Sequence, residues 1–245
     1  MRIRLTVAYD GTAYVGFQCQ SNGTAVQDVL NLALSDLFAC PVKTMGASRT
    51  DAGVHAEGNV VCFDIETRIS PSRIAYALNA RLPEDIRVVR SEQVADDFHP
   101  RFRKTVKTYE YRILNREHPD PLTRRTEMHF YYSLDSEKMN EAAAYLVGEH
   151  DFRSFCSSGF SSKTTVRTIY DCRVLRSGDR VTLSITGNGF LYNMVRIIAG
   201  TLIEVGAGKY EPEHVRDILE AKDRHAAGPT AIAKGLVLMR IEYPD

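Results

Sequence analysis

The chain has 245 residues, 44% hydrophobic and 25% charged, with 31 basic groups set against 31 acidic ones. Such a composition belongs to a folded protein of one large or two medium domains and excludes a disordered chain. A formal net charge of zero argues against nucleic-acid binding only where the charge is evenly spread.

Ile3, Leu5 and Val7 alternate with polar residues, which predicts a strand over 2–9. Tyr9-Asp10-Gly11-Thr12 turns the chain. Val26, Val29, Leu30, Ala33, Leu34, Leu37 and Phe38 then recur at helical spacing, with Thr24 as the expected N-cap. A short strand over 42–47 leads into a loop, and Val61, Phe63 and Ile65 mark the strand that leaves it. Ile74, Ala75, Leu78 and Leu82 predict a second helix started by Ser70-Pro71, and Ile86–Val94 returns as a strand. Phe98-His99-Pro100 breaks the pattern near 98–106. Beyond it, Tyr109, Tyr111 and Ile113 predict a strand, and Met139, Ala142, Ala143, Leu146 and Val147 a helix. Strands follow at 166–175 and 180–187, joined by Ser177-Gly178-Asp179. A long apolar helix is expected from about Phe190 to Val205, a short one over 212–222, and a last strand from Leu236 to Tyr243. This order is α+β with mostly antiparallel strands, in two lobes taken as 1–104 and 105–245.

Five scattered cysteines, Cys19, Cys40, Cys62, Cys156 and Cys172, form no disulfide framework and fit a reducing compartment. The N-terminus alternates from Met1-Arg2-Ile3-Arg4-Leu5 without a signal core. The apolar stretch Phe190–Ile203 carries Asn193 and Arg196 and is too short for a bilayer. The expectation is a soluble, cytoplasmic protein.

Ala47-Ser48-Arg49-Thr50-Asp51-Ala52-Gly53-Val54-His55-Ala56 places one carboxylate on a tight loop between two strands. Residues two apart in extended chain share a side, so Arg49 can hold Asp51 ionised as a nucleophile. The plainer reading is a turn in which Asp51 bonds its own backbone. Arg196 is the only charge in the apolar stretch Phe190–Ile203, and a buried guanidinium needs an anionic partner: Asp51, a phosphate, or any structural acid. Tyr109 and Tyr111 share one strand face, framed by Lys107 and Arg112. They suit base stacking and equally suit a half-buried core. Residues 101–125 carry eight basic groups, among them Arg101, Arg103, Lys104, Lys107 and Arg112, against three acids. Gly187-Asn188-Gly189 lacks a phosphate-loop ending, no serine elbow is present, and the seven histidines make no metal-ligand pattern. Asp51, His55 and Glu57 remain a local trio that a metal-dependent hydrolase would use.

Four segments taken together, Tyr9–Gln20, Ser48–Ala56, Tyr109-Glu110-Tyr111-Arg112 and Gly187–Arg196, resemble in order and content the TruA-type tRNA pseudouridine synthases. The likeness extends to Gly235-Leu236 and covers essentially the whole chain. It implies a pseudouridine synthase fold, two similar lobes of mostly antiparallel sheet around a central cleft. It implies isomerisation of uridine to pseudouridine in the tRNA anticodon arm, at positions 38, 39 and 40, with no cofactor and no metal. By that resemblance Asp51 is the catalytic aspartate, attacking either the sugar C1′ or the uracil ring. Arg49 and Arg196 pair with it, Tyr109 stacks on the uracil, Leu236 lines the pocket, and the protein is a homodimer. Two departures stand out: Ala47-Ser48 replaces the usual Gly before Arg49, and Ile232 stands where a Pro is usual. They suggest a paralogue with shifted target positions. A non-catalytic tRNA-binding or RNA-chaperone protein on the same scaffold is the remaining alternative.

Overall fold

The computed structural model describes residues 1–159 and 163–244. The chain folds as two compact units, one of Met1–Thr105 joined by the C-terminal strand from Leu238 onward, the other of Val106–Val237. The return of the last strand to the first unit is a grouping that no single cut in the sequence expresses.

In the first unit, β1 (Arg2–Tyr9) lies between β3 (His55–Asp64) and β4 (Ile86–Val94), antiparallel to both. Leu5 faces Val61 on one side and Ser91 on the other. The two-residue β2 (Met45–Gly46) adds a rung to β3, with Met45 opposite Cys62. The period-two row Ile3, Leu5 and Val7 is fully buried. So are Leu30 and Leu34 of α1 (Val26–Phe38) and Ile74 and Leu78 of α2 (Ile74–Asn79). Each such side chain contributes about 1.5–3 kcal/mol by leaving water.

Three boundaries in this unit differ from expectation. Ala25, not Thr24, is the N-cap of α1, and the Asp28 carboxylate accepts the Ala25 N–H at 2.9 Å. An acid three residues into the helix therefore closes its first turn. β2 is shorter than the expected 42–47 because the Thr44 N–H and hydroxyl donate to Asn31 Oδ1 at 2.9 and 2.8 Å instead of to a strand. α2 stops before Leu82, which precedes Pro83 and is pushed out of helical backbone by the ring.

In the second unit, β5 (Val106–Asn115), β9 (Arg180–Gly187), β8 (Val166–Ser177) and β7 (Gly148–Asp151) follow one another across an antiparallel sheet. β6 (Met128–Phe130) runs parallel beside the end of β5. The helices are α3 (Ser136–Ala144), α4 (Met194–Gly206) and α5 (His214–Ala221). Only Arg196 and Glu204 of α4 escape full burial, the pattern of a core helix. α4 begins four residues after the expected Phe190 because Asn193 adopts φ 59°, a left-handed conformation that no continuing helix tolerates. The α+β class with mostly antiparallel strands is as the sequence predicts. Among the described residues, no helix is long and apolar enough to cross a membrane.

Candidate active site

Asp51 sits half-buried on the loop between β2 and β3, and residues 9–17 wrap the backbone on either side of it. The Thr50 hydroxyl lies 2.7 Å from the Tyr9 hydroxyl. The Asn59 side-chain amide donates to Tyr9 Oη at 3.2 Å and to the Ser48 carbonyl at 3.1 Å. Phe17 N–H donates to the Thr50 carbonyl at 3.0 Å, and Val54 N–H closes a turn onto the Asp51 carbonyl at 3.1 Å. Gly16 is required here: its φ is +118°, and a Cβ would stand 2.8 Å from the Thr50 carbonyl. At the far end, His55 Nδ1 accepts the Gly11 N–H at 3.0 Å and lies 3.1 Å from Asp10 Oδ1. Ser48, Thr50, His55 and Asn59 are all buried. Each of these bonds is worth about 0.5–1.5 kcal/mol net, and more is lost if one buried partner is left alone. The loop is thus a held structure.

Arg49 is exposed on the same loop. Arg101 reaches the loop from the β4–β5 connection, donating from Nη2 to the Gly46 carbonyl at 3.2 Å. Burial, and then the positive charge of Arg49, lower the pKa of Arg101, although a guanidinium stays charged in a protein. Two like charges held near one loop favour an anion beside them. Arg103 pairs with Asp97 at 2.9 Å, and Lys104 is exposed.

In the second unit, Tyr109 is buried and meets the Phe190 ring edge-on, centroids 5.2 Å apart. Tyr111, on the same face, is fully buried and donates its hydroxyl to the Ile232 carbonyl at 2.7 Å. Burial pushes the Tyr111 pKa up, so it stays a donor. Of the two rings open to stacking or core roles in sequence, Tyr111 belongs to the core. Lys107 stands opposite Gly187 across the β5–β9 ladder. Arg112 pairs with Glu110 at 3.0 Å, so that charge is partly answered within its own strand.

Arg196 is half-buried at the start of α4. It donates from Nε to the Ala231 carbonyl at 2.8 Å and from Nη1 to Asn193 Oδ1 at 3.0 Å. The Ala231 N–H returns to the Arg196 carbonyl at 3.0 Å. One turn along, the Gly228 N–H donates to Thr201 Oγ1 at 3.0 Å. Gly200 lets this segment through, since a Cβ there would collide with the Pro229 carbonyl. The segment thus runs along α4 and aims the guanidinium. Ile232 holds φ −62° and ψ 147°, backbone that proline adopts without strain. The segment therefore keeps a proline-compatible path. Leu236 is buried just past Gly235, which packs against the Tyr111 ring.

The Asp51, His55 and Glu57 trio does not assemble as a metal site. His55 Nδ1 is taken up in accepting the Gly11 N–H, and Glu57 is exposed. Among the described residues, no group of three or more His, Cys, Asp or Glu is placed to hold a metal. Sequence reasoning missed Tyr9, Thr50 and Asn59 as the loop's fastening and Asn193 as the acceptor for Arg196. The Tyr9-Asp10-Gly11-Thr12 turn beside a strand was their only signal.

A family model described as tRNA pseudouridine synthase matches residues 5–103 and 142–244. The match includes Arg49, Asp51, Arg101, Arg103, Arg196 and Leu236, and leaves Lys104, Lys107, Tyr109 and Arg112 in its gap. The chain is 44% identical over 247 residues to a protein of Bacillus pumilus (strain SAFR-032) named tRNA pseudouridine synthase A, with all of both chains covered. It is 45% identical over 247 residues, again with full coverage, to the protein of that name in Bacillus subtilis (strain 168). With the one in Thermoanaerobacter sp. (strain X514) it shares 46% identity over 241 residues, 98% of this chain and 99% of the relative.

Proposed function

The chain belongs to the tRNA pseudouridine synthase family, and from that premise we propose that it isomerises uridine to pseudouridine in the anticodon stem-loop of tRNA, at positions 38, 39 and 40. The reaction breaks the bond between ribose C1′ and uracil N1 and joins C1′ to C5. The hydrogen on C5 leaves as a proton and N1 takes one up. The sum formula is unchanged, so the balance needs no oxidant, reductant or energy source.

Asp51 is the nucleophile, acting on C1′ or on the ring. The observation that carries this role is the fastening of its loop: Ser48, Thr50, Val54 and His55 are each fixed by a hydrogen bond to a separate element or turn. Holding a reacting group in place is a large part of what an enzyme contributes. Arg49 keeps the carboxylate ionised, and Arg49 and Arg196 are substrate-binding residues for the uridine everted from its stem. Tyr109 stacks on the uracil, Leu236 lines its pocket, and Arg101, Arg103, Lys104, Lys107 and Arg112 take backbone phosphates. The protein acts as a homodimer in the cytoplasm. Its free cysteines suit that compartment, and burial pushes the Cys62 thiol up to about 11, away from thiolate chemistry.

Substrate tRNA labelled with tritium at uridine C5 tests the reading. Wild-type protein is expected to release tritium to water from positions 38, 39 and 40, with chelator present or absent. Tight binding without release would instead establish a non-catalytic tRNA-binding protein. Release from other uridines would establish a paralogue with shifted targets, as the Ala47-Ser48 and Ile232 departures suggest.

A further inference from the structure

Phe102 is 81% exposed, yet it is not on a loose loop. The connection that bears it is anchored before and beside the ring. Phe98 is buried against Tyr243, centroids 5.0 Å apart, and Tyr243 donates its hydroxyl to the Pro100 carbonyl at 3.0 Å. Arg101 is tied to the Gly46 carbonyl, three residues before Arg49. The Phe102 ring stacks on His99, with centroids 4.0 Å apart and planes 20° from parallel. His99 is itself fixed, because its Nδ1 accepts the Arg101 N–H at 3.1 Å. That bond places the imidazole proton on Nε2. Burial and the charges of Arg101 and Arg2 lower the His99 pKa, which keeps the ring neutral. The result is a two-ring column, half-buried at its base and open at its tip.

We propose that the His99–Phe102 column is a docking platform on which an unpaired base of the RNA substrate stacks, with Arg101, Arg103 and Lys104 against the neighbouring phosphates. The proposal rests on the tRNA reading above and adds a recognition element to it. Its neighbours decide the kind of partner. Arg101, Arg103 and Lys104 are all exposed, so the ring is not part of an apolar patch that a protein partner would cover. A flat π face set among cations instead matches single-stranded nucleic acid, where every base has a face to stack and every link a negative charge. The tie from Arg101 to Gly46 sets the column at a fixed place relative to the strand that feeds the Asp51 loop.

The test uses anticodon-arm RNA carrying 2-aminopurine, or an abasic site, at each unpaired position in turn. Wild-type protein is expected to quench the fluorescence at one position. Phe102→Ala and Phe102→Leu lose that quenching, and Phe102→Tyr keeps it. Phe102→Ala raises the Kd for the intact RNA by about 5- to 150-fold, the worth of one stacked base. An abasic site at the quenched position weakens wild-type protein by a similar factor and adds nothing to the loss in Phe102→Ala. Unchanged affinity in Phe102→Ala overturns the proposal, as does a loss that is the same whichever position is abasic. A change from dimer to monomer in Phe102→Ala would make the ring a contact between copies and also overturn it. Tritium release by the wild-type protein is read separately, so failure of the platform is distinct from failure of the reaction.

Discussion

The Thr50 hydroxyl lies 2.7 Å from the Tyr9 hydroxyl, and it sits next to the proposed nucleophile. Thr50→Val keeps the shape and removes that partner. It is expected to cost about 0.5–1.5 kcal/mol in urea denaturation, the net worth of one hydrogen bond, because Tyr9 Oη keeps the Asn59 amide. If the loop positions Asp51, kcat falls further than KM rises, because a small misplacement of a reacting group costs up to roughly 100-fold. Equal kinetics in a destabilised variant would give Thr50 a purely structural role. Tyr111→Phe makes the complementary test in the second unit. It removes the donor to the Ile232 carbonyl, and unfolding is expected to become easier by about 1 kcal/mol. At this scale the sequence was legible for residues whose chemistry is local. Asp51 on a turn flanked by Arg49 is visible in ten letters. The Tyr9, Thr50 and Asn59 cluster was not, because residues 41 and 50 positions apart meet only when β1 and β3 pair.

At the scale of elements, two substitutions on the segment that aims Arg196 should act in opposite directions. Gly200→Ala sets a methyl against the Pro229 carbonyl. Overpacking of this kind costs about 1–3 kcal/mol, and it should loosen the Ala231 carbonyl that accepts from Arg196 Nε. Ile232→Pro restores a ring where φ is already −62°, so melting should be unchanged or improved by up to about 1 kcal/mol. A marked drop in melting temperature for Ile232→Pro would mean that the segment needs the isoleucine N–H or the preceding residue's freedom. Periodicity located nearly every strand and helix, since β1, α1, β4 and the β8–β9 hairpin carry clean patterns of two or 3.6. It placed the start of α4 too early. Phe190 and Leu191 continue the apolar run, but the left-handed Asn193 interrupts the backbone, and hydrophobicity does not report φ. It also overran β2, where Asn31 and Gln27 of α1 take the Thr44 backbone groups that a longer strand would have used.

For the whole molecule, an even charge total conceals a sorted surface. Arg103 and Arg112 each have an acid within 3.0 Å, Asp97 and Glu110, whereas Arg101 shares its surroundings with Arg49. The salt dependence of tRNA binding should reflect this sorting. Arg101→Gln is expected to flatten the plot of log affinity against log salt by about one unit of slope. Arg103→Gln and Arg112→Gln should flatten it less. Equal effects at all three sites would mean that the local pairs do not hold in the complex. The measurement nearest the central claim compares wild-type and Asp51→Asn protein on tRNA tritiated at uridine C5, with tRNA binding followed in parallel. The account predicts that Asp51→Asn binds the tRNA with nearly wild-type affinity and releases no tritium. Substantial release by that variant would contradict it.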